Sequence, residues 1–185
     1  MPGNDPISER NLDGYGAPPI QWGRVREVLD AETTQAPDTG GPGRHTSWLT
    51  TINPDGSPHV MPVGVVTVDG AWHCTSGPGT RKSRNISRDA RCVVSIATHP
   101  FDLVVEGVTE RVTDAAELQR VAETYAAQGW PARVSGDALT AEFSAPAAGP
   151  PPWNVYRIVP ATVFALGTAE PYGATRFDLG ESGTR

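Results

Sequence analysis

Two Asp-Gly pairs, Asp55-Gly56 and Asp69-Gly70, constrain this chain more than any other feature, because each stands between β-rich runs. SWLTTIN leads through PDGS to PHVMPVGVVTV, and the second pair leads on to AWHCTS. Asp-Gly suits tight hairpins, since both central residues take positive φ at little cost. The three runs therefore read as an antiparallel meander. RCVVSIAT and FDLVVEGVTERV read as two further strands, and WNVYRIVPATVFALGT as a last one broken by Pro160, which cannot donate to a ladder. About six strands with helices inserted, never in regular βαβ alternation, predict an α+β chain, mainly antiparallel β, closing as a barrel.

Between and around these strands, Trp22, Val25, Val28 and Leu29 recur at helical spacing, which predicts an amphipathic helix over 21–32. Residues 33–44, with Thr-Gly-Gly-Pro-Gly, read as a loop, and a basic helix is expected from Thr80 to about Asp89. Thr113-Asp114 opens a helix carrying Leu118, Val121, Ala122 and Tyr125 that ends near Gln128. Residues 129–152 read as loop with room for one helical turn. A chain of 185 residues supports one ordinary core, so the expected plan is an irregular arm over 1–20, one domain over 21–170 and a polar tail over 171–185.

Fifteen Lys and Arg against 21 Asp and Glu give a net charge of −6, which argues against nucleic acid and anionic lipid as partners. No stretch approaches the roughly 18 apolar residues of a membrane helix. MPGNDPISER lacks a signal-peptide pattern, so the expected location is cytoplasmic. Cys74 and Cys92 make no metal or disulfide spacing and read as buried thiols. His73 and Cys74, adjacent on a strand, point to opposite faces, and with no HxxxH, CxxC, HExxH or GxSxG pattern no metal site is expected. Glu106 reads as a strand carboxylate paired with an arginine in preference to a general acid or base. Asp114 and Glu117 read as acids suited to a helix N-terminus, and Trp48, Trp72 and Trp153 as core or interface anchors.

The run with chemical content is Ser76-Gly77-Pro78-Gly79-Thr80-Arg81-Lys82-Ser83-Arg84-Asn85, between a strand and a helix. Thr80 is a plausible N-cap, but Ser83 stands where a capping box needs Glu or Gln. Arg81, Lys82 and Arg84 crowd a first turn that already presents free N–H groups and partial positive charge. An anion there reverses every repulsive term, with Gly77 and Gly79 letting the backbone come close. The alternative is that these side chains simply reach into water, and charge pattern alone does not decide between the two. Lys82 holds the third glycine position of a dinucleotide fingerprint, so a nicotinamide site is not supported.

TTINPDGSPHVMPVG, TSGPGTRKSRNISRDARCVVSI and VVEGVTERVTD, in that order, resemble the flavin/deazaflavin oxidoreductases of the pyridoxamine 5'-phosphate oxidase-like superfamily. More narrowly the chain is similar to the actinobacterial branch associated with the deazaflavin coenzyme F420, over roughly residues 20–170. The resemblance implies a six-stranded split β-barrel of the FMN-binding type with flanking helices, forming a homodimer with cofactor sites at the interface. It implies F420 as cofactor, with FMN as the alternative, and hydride transfer to a small electron-poor substrate. A non-catalytic binder of flavin, F420 or haem is the reading from another class. Carried over, His59, Val60, Met61, Pro62 and Val63 line one side of the ring system, and Thr75 and Ser76 lie at the neighbouring strand end. Lys82 holds the phosphate with Thr80 and Arg81 near it, and Arg84 and Asn85 stand behind. Thr80 occupies a position where some relatives have arginine, with Arg81 one residue along. Trp153, Tyr156 and the surroundings of Phe101 are candidates for the pocket wall.

Overall fold

The computed structural model describes residues 5–31, 46–145 and 147–180. The expected loop over 33–44 lies outside them. The barrel strands are β2 (Ser47–Ile52), β3 (Pro58–Val63), β4 (Val65–Val68), β5 (Ala71–Ser76), β6 (Arg91–Ala97), β7 (Phe101–Val112) and β10 (Asn154–Gly167). Helices α1 (Trp22–Asp30), α2 (Arg81–Arg88) and α3 (Ala115–Ala127) fall within or close to their expected spans. The fold is mainly antiparallel α+β, as the hairpin signals require.

The meander departs from expectation in its middle run. PHVMPVGVVTV is two strands, β3 and β4, parted at Gly64, whose carbonyl accepts the Tyr125 hydroxyl at 2.9 Å. β3 pairs with β2 at one end of the sheet path, whereas β4 pairs with β5, which joins β10. Two hairpins on opposite flanks thus replace one continuous meander, and the chain runs from one flank to the other through Gly64. Side chains of all seven strands share one interior, including Leu49, Val63, Val65, Cys74, Val94, Leu103 and Ile158. That shared interior makes a barrel, split because no hydrogen-bonded pairing joins β3 to β4.

The two Asp-Gly turns differ as well. Asp69 and Gly70 both have positive φ, 50° and 71°, as a two-residue hairpin demands. At the first turn only Gly56 does, because the loop over 53–57 is three residues longer and is not a two-residue hairpin. Pro160 does not end its strand. It marks a bulge in β10, where Gly107 of β7 is obligatory, since a Cβ there would lie 2.0 Å from the Val159 carbonyl oxygen.

α1 buries Val25 and Leu29 against the barrel interior, and Trp72 donates its indole N–H to the Leu29 carbonyl at 2.8 Å. α3 covers the outer face of the other flank, where Leu118, Val121 and Tyr125 meet Val66, Val68 and Val155 in a second cluster. Residues 129–152 contain a short hairpin, β8 (Arg133–Ser135) with β9 (Ala138–Thr140), where a helical turn was expected. Leu139 bridges to Trp153, tying that hairpin to the start of β10. The segments read as arm and tail also carry structure. β1 (Ser8–Asn11) pairs with β11 (Ala174–Asp178), and β11 with β10. Among the described residues no helix is long and apolar enough to cross a membrane.

Candidate functional site

The turn from β5 into α2 carries the chemistry that the sequence singled out. Thr80 is the N-cap in extended conformation, its Oγ1 accepting from the Ser83 N–H at 3.3 Å and standing 2.7 Å from Ser76 Oγ. Ser76 is buried, Thr75 half-buried. One turn further, Lys82 is only 5% exposed. Its Nζ donates to the Ala147 carbonyl at 3.3 Å, and among the described residues no carboxylate pairs with it. Burial pushes the ammonium below the usual lysine range, opposed only by the Cys74 sulfur. A buried ammonium with one long neutral acceptor is poorly compensated, since it has three donors and has lost its hydration.

The other cations behave differently. Arg81 and Arg84 are exposed, and Arg84 turns back to donate to the Gly79 carbonyl at 2.6 Å. Arg88 reaches the Ile52 carbonyl. With Asn53, Pro54 and Asp55 of the β2–β3 turn these arginines border an open groove. Asn85 lines its floor. Buried, it donates to Thr51 Oγ1 and Asn53 Oδ1, both at 3.1 Å, and so fastens α2 to β2.

On β3, His59 and Met61 are half-buried and Val63 is interior, while Val60 and Pro62 alternate onto the exposed face. The His59 imidazole is held below the usual histidine range by burial first, then by Arg81 and Lys82, which puts it within electrostatic reach of the helix start. The structure thus gathers Ser76, Thr80, Arg81, Lys82 and His59 about one turn, whereas Thr75 takes the other face of β5, where its side chain meets Tyr125 of α3. Val60 and Pro62 point elsewhere, and Arg84 and Asn85 are committed to the protein's own backbone and β2.

Several expectations need correction. Gly77 and Gly79 were read as making room for an anion. A Cβ on Gly77 would lie 2.6 Å from the Ala148 carbonyl oxygen, so its need for no side chain comes from residues 147–150, whereas Gly79 faces open space. That segment over the turn is the element sequence reasoning missed; Gly149 with the prolines after it signalled a loop, but no local pattern placed it here. Trp153 and Tyr156 are each 2% exposed in the chain's own core, which withdraws them from a wall facing a partner, and Phe101 is interior too, while its neighbour Asp102 is exposed. Glu106 is exposed and, among the described residues, has no arginine partner; its neighbours along β7 alternate inward, and its own side chain takes the outer face.

Glu117 does more than suit a helix end. Asp114 caps α3 by accepting the Glu117 N–H at 2.8 Å, and the Glu117 carboxylate lies 2.8 Å from His73 Nε2 and accepts from Arg157 Nη1 at 3.1 and 3.2 Å. Arg157 also reaches Glu110 at 2.7 Å. His73 and Cys74 do take opposite faces, His73 meeting α3 and Cys74 the barrel interior, where burial pushes its thiol up to about 12. Among the described residues no three His, Cys, Asp or Glu side chains group to hold a metal ion.

Solved structures of similar fold include a conserved hypothetical protein of Mycobacterium tuberculosis, 16% identical, with TM-score 0.57 over 83% of this chain and 89% of that one. A Listeria innocua protein provisionally named as a pyridoxamine 5'-phosphate oxidase is 16% identical, with TM-score 0.52 over 78% and 96%. A haem binding protein of Mycobacterium smegmatis is 16% identical, with TM-score 0.54 over 80% of this chain and 55% of that one. No curated protein matches the sequence. At such identities these likenesses speak to fold alone. Residues 38–167, which hold all seven barrel strands and the α2 turn, match the family described as Pyridoxamine 5'-phosphate oxidase. A split antiparallel barrel with its anion-suited turn after the fifth strand and a sequence match over most of the chain lead to one assignment: the chain belongs to the pyridoxamine 5'-phosphate oxidase family.

Proposed function

We propose that the protein is an oxidoreductase that seats the phosphate of F420 on the α2 turn and serves hydride transfer to a small electron-poor organic substrate. The observation that carries the reading is Lys82, a buried ammonium at a helix N-terminus with no anionic partner among the described residues. A phosphate supplies the missing charge and meets the partial positive charge of the helix end. The residues present fit such a group: Lys82 and Arg81 as cations, and Thr80 and Ser76 as hydroxyl donors.

The bound deazaflavin would supply a ring that exchanges a hydride, while the chain's own part is placement and exclusion of water. The half-buried face of β3 offers His59 and Met61 beside the turn, with His59 neutral at neutral pH because its proton affinity is depressed. No protein acid or base is required for hydride delivery, which suits a site without a catalytic dyad. FMN carries one phosphate and a comparable ring, so it is the alternative occupant of the same turn. Trp48, 45% exposed on β2 opposite Pro62, and Val60, 48% exposed, form an apolar strip on the barrel's outside that supports a second copy of this chain as partner.

Titration of the purified protein with F420, FMN and haem, followed by fluorescence and absorbance, tests the reading. F420 is expected to bind with micromolar or better affinity, and Lys82→Ala to weaken it at least about tenfold, as loss of a charge-assisted contact should. Tight FMN binding with no response to F420 would hand the site to the alternative. Unchanged affinity in Lys82→Ala would remove the phosphate from this turn.

A further inference from the structure

Three consecutive carbonyls, those of Ala147, Ala148 and Gly149, all accept hydrogen bonds from the turn and its surroundings. Lys82 Nζ donates to Ala147 at 3.3 Å, the Gly77 N–H to Ala148 at 2.8 Å and the Trp153 indole N–H to Gly149 at 2.9 Å. Ala148 is buried, and Gly149 holds φ at +76°, where an added Cβ would lie 3.1 Å from Thr80 Cγ2. The segment lies on the turn with the Ala147 and Ala148 carbonyls toward Lys82 and the Gly77 N–H, while the Gly149 carbonyl is anchored by Trp153.

We infer that residues 147–150 are a strap occupying the anion seat of the α2 turn, which a phosphate must displace from Lys82 in order to bind. The inference rests on the reading of that turn as a phosphate site. A carbonyl offers Lys82 only a partial charge, and it does so through one long bond, whereas a phosphate oxygen offers a full one. The strap therefore holds the turn closed when no ligand is present and yields to a stronger acceptor. Closure has a measurable consequence: apparent affinity falls by the fraction of molecules whose turn is open.

The strap can be loosened without touching Lys82. Gly149→Ala puts a side chain where φ is positive and Thr80 is close, and Trp153→Phe removes the indole donor while keeping a ring in the core. FMN and inorganic phosphate are the probes, followed by calorimetry, with hydrogen exchange of the Trp153 indole proton read by NMR. Both variants are expected to bind FMN about threefold or more tightly than the wild type. In the wild type, saturating FMN or phosphate should speed indole exchange at least about tenfold as the Gly149 contact opens. Binding by the variants alone would also support the strap, as a fully closed form. Equal affinity in all three proteins with unchanged indole exchange would overturn the strap and leave the phosphate site standing. No binding of either probe by any of them would overturn both.

Discussion

Two buried nitrogen-bearing side chains, Lys82 and His73, stand on consecutive elements of the chain and are treated in opposite ways. His73, 1% exposed, has both ring nitrogens on oxygen acceptors, the Ala71 carbonyl at 3.0 Å and Glu117 at 2.8 Å. Neither ring nitrogen of this buried side chain is left without an oxygen partner. Glu117 is fixed in turn by Arg157, and Arg157 by Glu110, so one connected polar network crosses β5, α3, β10 and β7. Among the described residues Lys82 has one neutral carbonyl. The contrast separates a fully bonded structural joint from a lysine left short of partners, the feature on which the proposed phosphate seat rests.

The largest expected effect breaks the satisfied side. Glu117→Ala leaves His73 and Arg157 without their shared carboxylate and should lower the unfolding free energy by roughly 3 kcal/mol, as loss of one partner of a buried pair does. Urea denaturation at neutral pH measures it. A loss below about 1 kcal/mol would mean that the joint behaves as an ordinary surface pair. FMN or F420 affinity of the folded variant should stay at the wild-type value, because no member of this network touches the α2 turn.

Lys82→Met should act in the reverse sense, raising the stability of the empty protein by about 1 kcal/mol, since a poorly paired buried charge is replaced by an apolar chain of similar length. For a domain of this size that is about 2–4 °C in Tm. The sign of the pH dependence follows from the depressed lysine. The unfolded chain keeps the proton up to the ordinary value of 10.5, while the folded chain releases it earlier, so the wild type gains stability as pH rises through that window. The advantage of Lys82→Met should thus shrink toward pH 10.5. Cys92, pushed up to about 12, is common to both proteins, and Cys74, also pushed up to about 12 by burial, is lowered in part by Lys82, so Lys82→Met moves that thiol further up, which works in the same direction. An advantage that grows with pH would show that Lys82 is well compensated.

The same contrast explains what was legible in the sequence. Hairpins and helices follow from local rules, so Asp69-Gly70, the α2 start at Thr80 and the α3 cap at Asp114 could be placed without coordinates. The barrel's split could not, because PHVMPVGVVTV is uniformly β-like and only its pairing with two different strands divides it at Gly64. Crowded cations at Arg81, Lys82 and Arg84 singled out the turn in the sequence, yet their separate fates depend on packing that the charge pattern does not contain. Lys82 is buried beneath Ala147, and Arg84 folds onto Gly79. Glu117 sits 44 positions from His73 and 40 from Arg157, so no spacing rule could join them. Sequence supplied the charges; the long-range packing decided which were neutralised.

The smallest effect sharpens the comparison at the helix ends themselves. α3 has Asp114 at its N-cap and Glu117 in its first turn, and both suit the partial positive charge there. α2 has no acid in its first turn. Arg81 is exposed, so Arg81→Glu can supply one with little change in packing. The exchange removes a cation opposed to the helix dipole and adds an anion aligned with it, together about 0.5–1 kcal/mol of added stability for the empty protein at low salt. Salt near 1 M should erase most of this, because the Debye length falls to about 3 Å. Phosphate and FMN should bind the variant more weakly, since the substituted carboxylate occupies the favourable field they would use. Thermal melts at two salt concentrations, paired with one FMN titration, read both effects. If Arg81→Glu destabilises the empty protein, the α2 turn is not short of negative charge, and the contrast with α3 fails at its origin.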